Sequence, residues 1–304
     1  MGYFSGRTAV ITGAASGFGL EASRIAAREG MNVVMADVMP EPLAQAVVEI
    51  EALGAKVLPF QLDVSNAERV QALADATLAH FGAPHFVFNN AGISVGGLIW
   101  EHTLKDWEWT VGVNLMGVAH GVRVFTPMML AAAKKDPGYR GHIVNTASMA
   151  GLVNMPNQGA YNVTKHAVVA LSETLYQDLA LVTEQVHAHV LCPYFVPTGI
   201  IHSDRARPGE MRDANEALTP SQKVARILGE KAVASGKVSA AEVAQFVFDA
   251  MQANRFYIFS HPNERALGPV AMRADDIVSM RNPADPFAHK PELGEQLRAA
   301  LAGS

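Results

Sequence analysis

A doubly wound α/β domain built on a parallel sheet is the fold class this sequence predicts, and three observations predict it. Short β-rich runs alternate with stretches of helical periodicity from the first residues onward. A glycine-punctuated turn, Thr12-Gly13-Ala14-Ala15-Ser16-Gly17-Phe18-Gly19, joins the first of those runs to the first helical stretch. Apolar residues make up 49% of the 304-residue chain and charged residues only 17%, which suffices for a large core and excludes general disorder.

Taken in order, TAVIT at Thr8–Thr12 reads as a buried strand and residues 17–29 as a helix; NVVMAD at Asn32–Asp37 is the second strand, with a helix over residues 41–52. Residues 56–63 form a third predicted strand, 67–80 a helix, 85–89 a fourth strand and 141–148 a fifth, after a long helix over roughly 112–133. Apolar residues recur at three and four in that helix (Leu115, Val118, Ala119, Val122) and in another (Ala167, Val168, Leu171, Leu175, Leu179, Val182), so each has a stripe to bury. HAHVLCP over residues 187–193 reads as a sixth strand. Ser239 and Glu242 make a capping box that opens a helix over 240–253, and a seventh strand covers 256–259.

From about Ser260 the texture changes, because Pro262, Pro269, Pro283, Pro286 and Pro291 cut the chain into short pieces. The organisation expected is one domain over residues 1–259 and a C-terminal extension over 260–304 too small for a core of its own. Leu267, Val270, Met272, Ile277, Val278 and Met280 give that extension too many apolar groups to leave in water. It should pack, either as a cover over a cleft together with residues 199–236 or as padding at a subunit contact.

With 24 basic and 29 acidic residues, a formal charge of −5 and no Lys/Arg run, neither nucleic acid nor an anionic membrane is expected as a partner. Cys192 is the one cysteine and the N-terminus has no basic and apolar leader pattern, so a reducing cytoplasmic setting is the expectation. The most apolar stretch, residues 112–133, is interrupted by Asn114, His120 and Arg123, which argues against a bilayer span.

Chemistry concentrates at the ends of the predicted strands. Gly13, Ser16, Gly17, Phe18 and Gly19 place bare backbone at a helix N-terminus, an arrangement that suits a pyrophosphate. Asp37 ends the second strand, eighteen residues past Gly19, where a carboxylate can accept from the hydroxyls of an adenosine ribose and repel a 2′-phosphate. Ser16 and Val38 supply no cation for such a phosphate, which points to NAD. Tyr161 and Lys165, at i and i+4, share a helix face, and an ammonium beside a phenol favours the phenolate and makes it usable as a general acid/base. Ser148 lies thirteen residues before Tyr161, at the end of the fifth strand. His187 and His189 share a strand face as metal ligands would, but no third ligand accompanies them, so no metal is expected. Trp100, Trp107 and Trp109 are read as packing or subunit contacts, and Cys192 as a buried small hydrophobe.

Together these motifs resemble the short-chain dehydrogenases/reductases over residues 6–259. They are TGAASGFG, Asp63-Val64, Asn89-Asn90-Ala91-Gly92, Asn114, Ser148, and Tyr161 with Lys165, in that order. The resemblance implies a Rossmann-type fold and a proton relay in which Tyr161 is the acid/base. Ser148 would hold the substrate oxygen, Lys165 would bind the nicotinamide ribose and lower the tyrosine pKa, and Asn114 would hold a relay water. It further implies that Asp63 and Val64 contact the adenine, that Asn90 lies beside the ribose, and that Thr198 and the neighbouring Val196 meet the cofactor. One departure stands out: Tyr194 occupies a position that such enzymes usually fill with glycine, in the run Pro193-Tyr194-Phe195-Val196-Pro197-Thr198. Tyr194 and Phe195 would wall the pocket or pack the loop.

The function expected is hydride transfer between NAD and a bulky, apolar or aromatic secondary alcohol or ketone. An NADPH-dependent carbonyl reductase and a silent dinucleotide-binding regulator are the alternatives. Pocket candidates implied by the resemblance are Ser94, Val95, Asn154, Met155, Tyr194 and Phe195, and no Arg or Lys stands out as waiting for a phosphate or carboxylate. A homotetramer associating through the two striped helices is the expected assembly.

Overall fold

The computed structural model describes residues 2–212, 217–288 and 291–302. Parts of the expected cover (residues 213–216) and of the extension (289–290, 303–304) lie outside the described residues.

Seven strands are formed: β1 (Thr8–Thr12), β2 (Asn32–Asp37), β3 (Val57–Gln61), β4 (Phe86–Asn89), β5 (Gly141–Thr146), β6 (Val186–Cys192) and β7 (Tyr257–Phe259). All neighbours are parallel, in the order β3-β2-β1-β4-β5-β6-β7. Chain direction along the sheet reverses between β1 and β4. A crevice opens there beyond the carboxyl ends of the strands, where open α/β sheets hold their ligands. β1 and β5 are buried at every residue, which explains their continuous apolar or small-polar reading in place of an alternation.

The helices α1 (Gly17–Arg28), α2 (Pro40–Ala52), α3 (Ala67–Phe81), α4 (Leu104–Thr110), α5 (Gly117–Lys135), α6 (Gly159–Val182), α7 (Pro220–Ala234), α8 (Ala240–Gln252), α9 (Glu264–Val278) and α10 (Pro291–Ala302) cover both faces. One buried cluster joins α1 and α8 to the sheet through Ala22, Ala26, Val243, Val247 and Phe248. A second, with Leu73, Phe125, Met129 and Leu179, fills the other face. Between α4 and α5 the chain runs through one wide π turn, Val111–Met116, so the predicted long helix begins earlier, at Leu104. By length and composition alone, Leu104–Lys135 could cross a membrane. In this fold Trp109, Val118, Phe125 and Met129 on that run are buried.

Leu267 and Val270 of α9 pack, with Tyr194 and Phe259, against a buried cluster that includes Val190, Cys192 and Ala266, whereas Ile277, Val278 and Met280 stay exposed. The expectation that the whole apolar set of the extension packs therefore holds for its first half only within one subunit.

The amino-terminal end of the sheet carries a closed polar chain. Tyr3 Oη lies 2.8 Å from His142 Nε2, His142 Nδ1 lies 3.0 Å from His189 Nε2, and His189 Nδ1 lies 2.8 Å from the Arg255 carbonyl. Because that carbonyl only accepts, His189 must carry its proton on Nδ1. Its Nε2 then accepts from His142 Nδ1–H, and His142 Nε2 accepts from Tyr3. Both rings are thus neutral, and burial lowers both pKa values, that of His189 to about 4. Neither nitrogen of His189 is left over for another ligand.

Candidate active site

The crevice is a cavity of about 320 Å³ running from Asp37 and Met39 past the glycine turn to Tyr161 and Lys165. Its backbone half is built from glycines that need to be glycines. Gly13 and Gly17 sit at φ +65° and +54°, and a Cβ on Gly13 would come within 3.0 Å of Ala91 Cα. A Cβ on Gly19 would drive into the Gly13 carbonyl. Ser16 is the N-cap of α1, yet its side chain makes no capping hydrogen bond and no acid lies in the first turn. The first N–H groups of the helix are therefore left without a side-chain acceptor beside the cavity, a cradle that fits a phosphate.

Asp37 is pinned at the far end, its Oδ2 accepting from Ala15 N and its Oδ1 from Met39 N, each at 3.0 Å. Asn90 is tied to β1, with Nδ2 donating to the Thr12 carbonyl at 3.0 Å, and its Oδ1 accepts from Thr146 Oγ1 at 3.3 Å. Asp63 and Val64 line the same wall, Asp63 Oδ1 accepting from Ser65 N and Oγ.

At the other end, Lys165 is buried and donates to the Thr146 carbonyl at 2.9 Å. Its Nζ is 5.6 Å from the centre of the Tyr161 ring, one helical turn away. Burial brings its pKa down to about 8. The Tyr161 phenol is raised, chiefly by burial, while a hydrogen bond with Ser148 pulls it down. The lowering expected from Lys165 does not appear among the causes, and burial dominates. Ser148 Oγ also accepts from Ala150 N at 3.1 Å and donates to the Pro193 carbonyl at 3.4 Å.

Asn114 is fully buried in the π turn. Its Oδ1 accepts from Ile93 N at 2.8 Å, and its Nδ2 donates to the Ile93 carbonyl at 3.0 Å and to Thr164 Oγ1 at 3.3 Å. The side chain is a clip between the β4 loop and α6, so a relay water there would have to use the backbone. Val196 is buried in the core cluster that includes Ala14 and Phe18 and does not line the cavity. Thr198 does, with its methyl 3.6 Å from where a Cβ of Gly17 would stand.

Ser148 and the expected pocket residues Ser94, Val95, Asn154, Met155, Tyr194 and Phe195 do not line this cavity. The Tyr194 N–H donates to Ser260 Oγ at 2.8 Å, and its ring meets those of Phe195 and His261 edge-on. Tyr194 packs against the same buried cluster as Leu267 and Val270 of the extension. Sequence reasoning missed Ile93, Trp109, Val113, Ile200, Ser203 and Arg205, which do line the wall. Trp109 carries the Arg207 guanidinium 4.9 Å from a ring centre.

The short helical segment Gly199–Ala206 and α7 close over this end through contacts with the loop before α4. Ser94 N donates to Ser203 Oγ and Leu98 N to Ser221 Oγ, both at 3.0 Å. The buried Asp106 carboxylate pairs with Arg207 at 2.7 Å and accepts from Thr103 N and, at 3.4 Å, from Gln222 Nε2. Apart from Thr103 with Asp106, these pairs join residues about a hundred or more positions apart, which is why no motif reveals them.

The short chain dehydrogenase family model matches residues 7–209, and this chain belongs to that family. Among its relatives is the "CLA biosynthesis dehydrogenase/reductase" of Lactiplantibacillus plantarum, 33% identical over 87% of this chain and 91% of the relative. Another is the "1-deoxy-11-beta-hydroxypentalenate dehydrogenase" of Streptomyces exfoliatus, 34% identical over 85% of this chain and 84% of the relative. A short-chain dehydrogenase/reductase from Burkholderia phymatum, solved in complex with NAD, superposes with a TM-score of 0.90 at 49% identity, covering 95% of this chain and all of that one.

Proposed function

We propose that this oxidoreductase moves a hydride between NAD and a bulky, largely apolar or aromatic secondary alcohol or its ketone. The observation that carries the reading is one crevice with Asp37 at one end, an uncapped helix N-terminus in the middle and the Tyr161–Lys165 pair at the other. The NAD held by the similar Burkholderia phymatum protein supports the choice of cofactor. Asp37, already fixed by two backbone N–H groups, would accept from ribose hydroxyls and disfavour a 2′-phosphate. The bound nicotinamide supplies the hydride acceptor or donor.

In oxidation, Tyr161 as the phenolate would take the hydroxyl proton on Oη while Ser148 Oγ holds the same oxygen, and the hydride released as the carbinol C–H bond breaks would go to the acceptor that bound NAD supplies. Lys165, held by the Thr146 carbonyl, keeps positive charge beside the phenol and is placed to donate to a ribose. Ile93, whose N–H meets Asn114, and Ile200 add apolar side chains to the cavity wall, which favours a hydrocarbon or aryl body over an acidic one. The exposed Val163, Tyr176, Leu181 and Val182 on α6 and Met116 beside α5 support a homo-oligomer formed through these helices; a single-subunit mass in light scattering would count against it.

The test is absorbance of reduced nicotinamide with NAD and a panel of aliphatic, aryl and steroid secondary alcohols. Turnover should be highest with the large apolar members and with NAD. Equal use of NADP, or no turnover with any secondary alcohol or ketone, would overturn the reading.

A further inference from the structure

The segment Gly199–Ala206 carries an arginine into the cavity wall. Arg205 folds back over its own segment. Its Nη1 donates to the carbonyls of Gly199 at 2.7 Å and His202 at 3.1 Å, and a Cβ on Gly199 would stand 2.9 Å from Nη2. Gly199 follows Thr198, whose methyl lies against Gly17 at the start of α1. These contacts put the guanidinium at the glycine-turn portion of the crevice. The charged residues lining the cavity are Asp37, Asp63, Lys165 and Arg205, and Lys165 is committed to the Thr146 carbonyl at the tyrosine end. Arg205 is therefore the cation at the middle of the site. Among the described residues its partners are carbonyls, and no carboxylate pairs with it.

Two carbonyls hold Nη1 and so aim the fork, while Nη2 and Nε keep donors to spare. A planar fork of donors matches phosphate oxygens in a way a helix N-terminus alone cannot, because it adds a full charge to the partial one. Resting on the dinucleotide reading above, we propose that Arg205 grips the diphosphate of the cofactor from the cover side. Since Ser203 on the same segment accepts from Ser94 N, a diphosphate held by Arg205 also fixes the segment that lies over the substrate end.

Equilibrium titration of ADP, adenosine, NAD and NADP into the wild type, R205A and R205Q tests this. Both variants should bind ADP, NAD and NADP about tenfold more weakly, the scale of one charge-assisted contact, and adenosine unchanged. The salt dependence of ADP binding should become shallower. R205Q keeps a neutral polar side chain, so a loss shared by both variants, with unaltered melting temperature, is a loss of charge and not of fold. Unchanged ADP affinity would overturn the proposal. So would a loss confined to NADP, which would assign Arg205 to a 2′-phosphate, or a change confined to the KM of an alcohol. A wild type that binds neither ADP nor NAD would instead overturn the dinucleotide reading itself, before any variant is compared.

Discussion

The two ends of the parallel sheet bury the same kinds of titratable group and use them in opposite ways. At the amino-terminal end, Tyr3, His142, His189 and the Arg255 carbonyl satisfy one another in a line, each donor matched to one acceptor. At the carboxyl end, Asp37, Lys165, Tyr161 and the first turn of α1 are anchored by the backbone and still face a cavity. The difference teaches that burial does not by itself make a functional site. Unspent hydrogen-bonding capacity beside an empty volume does. The histidine chain is a structural device in which proton positions are fixed by an end that can only accept.

Breaking the carboxyl end should have the largest effect. Replacing Tyr161 by Phe removes the proposed proton carrier and leaves the ring in place, so turnover should fall by about 10²-fold or more while NAD binding and thermal stability stay close to wild type. A variant retaining most of its activity would move the chemistry to another group.

The amino-terminal end should break with acid. The folded pKa of His189, about 4, lies below its unfolded value near 6.5, so the unfolded chain binds the extra proton first. Stability is then fully present above pH 6.5 and lost as pH falls toward 4. His189 alone should cost about 2 kcal/mol between pH 7 and pH 5. Urea midpoints measured at the two pH values check this, and the pair of changes His142→Phe with His189→Leu should flatten the slope. A midpoint independent of pH in the wild type would contradict the tautomer chain.

A smaller effect sharpens the comparison inside the carboxyl end. Asp37→Ala removes a ribose acceptor and a charge opposed to a 2′-phosphate, so the preference for NAD over NADP in kcat/KM should narrow by about tenfold. An unchanged ratio would leave Asp37 as a brace for the glycine turn only.

Legibility in the sequence follows the same division. The strands, the glycine turn, Asp37 and the Tyr161–Lys165 spacing are local patterns, and the sheet assembles them where local reading puts them. The histidine chain depends on β5 lying beside β6 in one register, His142 opposite His187, so sequence shows His187 with His189, whereas the chain joins His189 to His142 and leaves His187 stacked beside it. Trp109 and Arg205 reach the cavity only because the segment after β6 folds over the helix after β4. That pairing rests on Asp106 with Arg207 and Ser94 with Ser203, about a hundred residues apart. Sequence leaves Tyr194 open between pocket wall and loop packing, because its contacts with Ser260 and His261 come from residues more than sixty positions on.

The wide turn at Val111–Met116 has a consequence for how the chain tolerates changes in length. One residue more or less in an α-helix rotates everything beyond it by about 100°. Here α4 buries Trp109 and Thr110, and α5 buries Val118, Phe125 and Met129. Both stripes meet the core because the intervening turn absorbs an additional residue. A single deletion within these six positions would tighten the turn to ordinary pitch and swing one of the two stripes, with Asn114, out of phase with its partners. A compensating insertion placed anywhere else along the helix could not restore both faces. The run is thus a mechanical splice whose residue count is constrained more tightly than its residue identities.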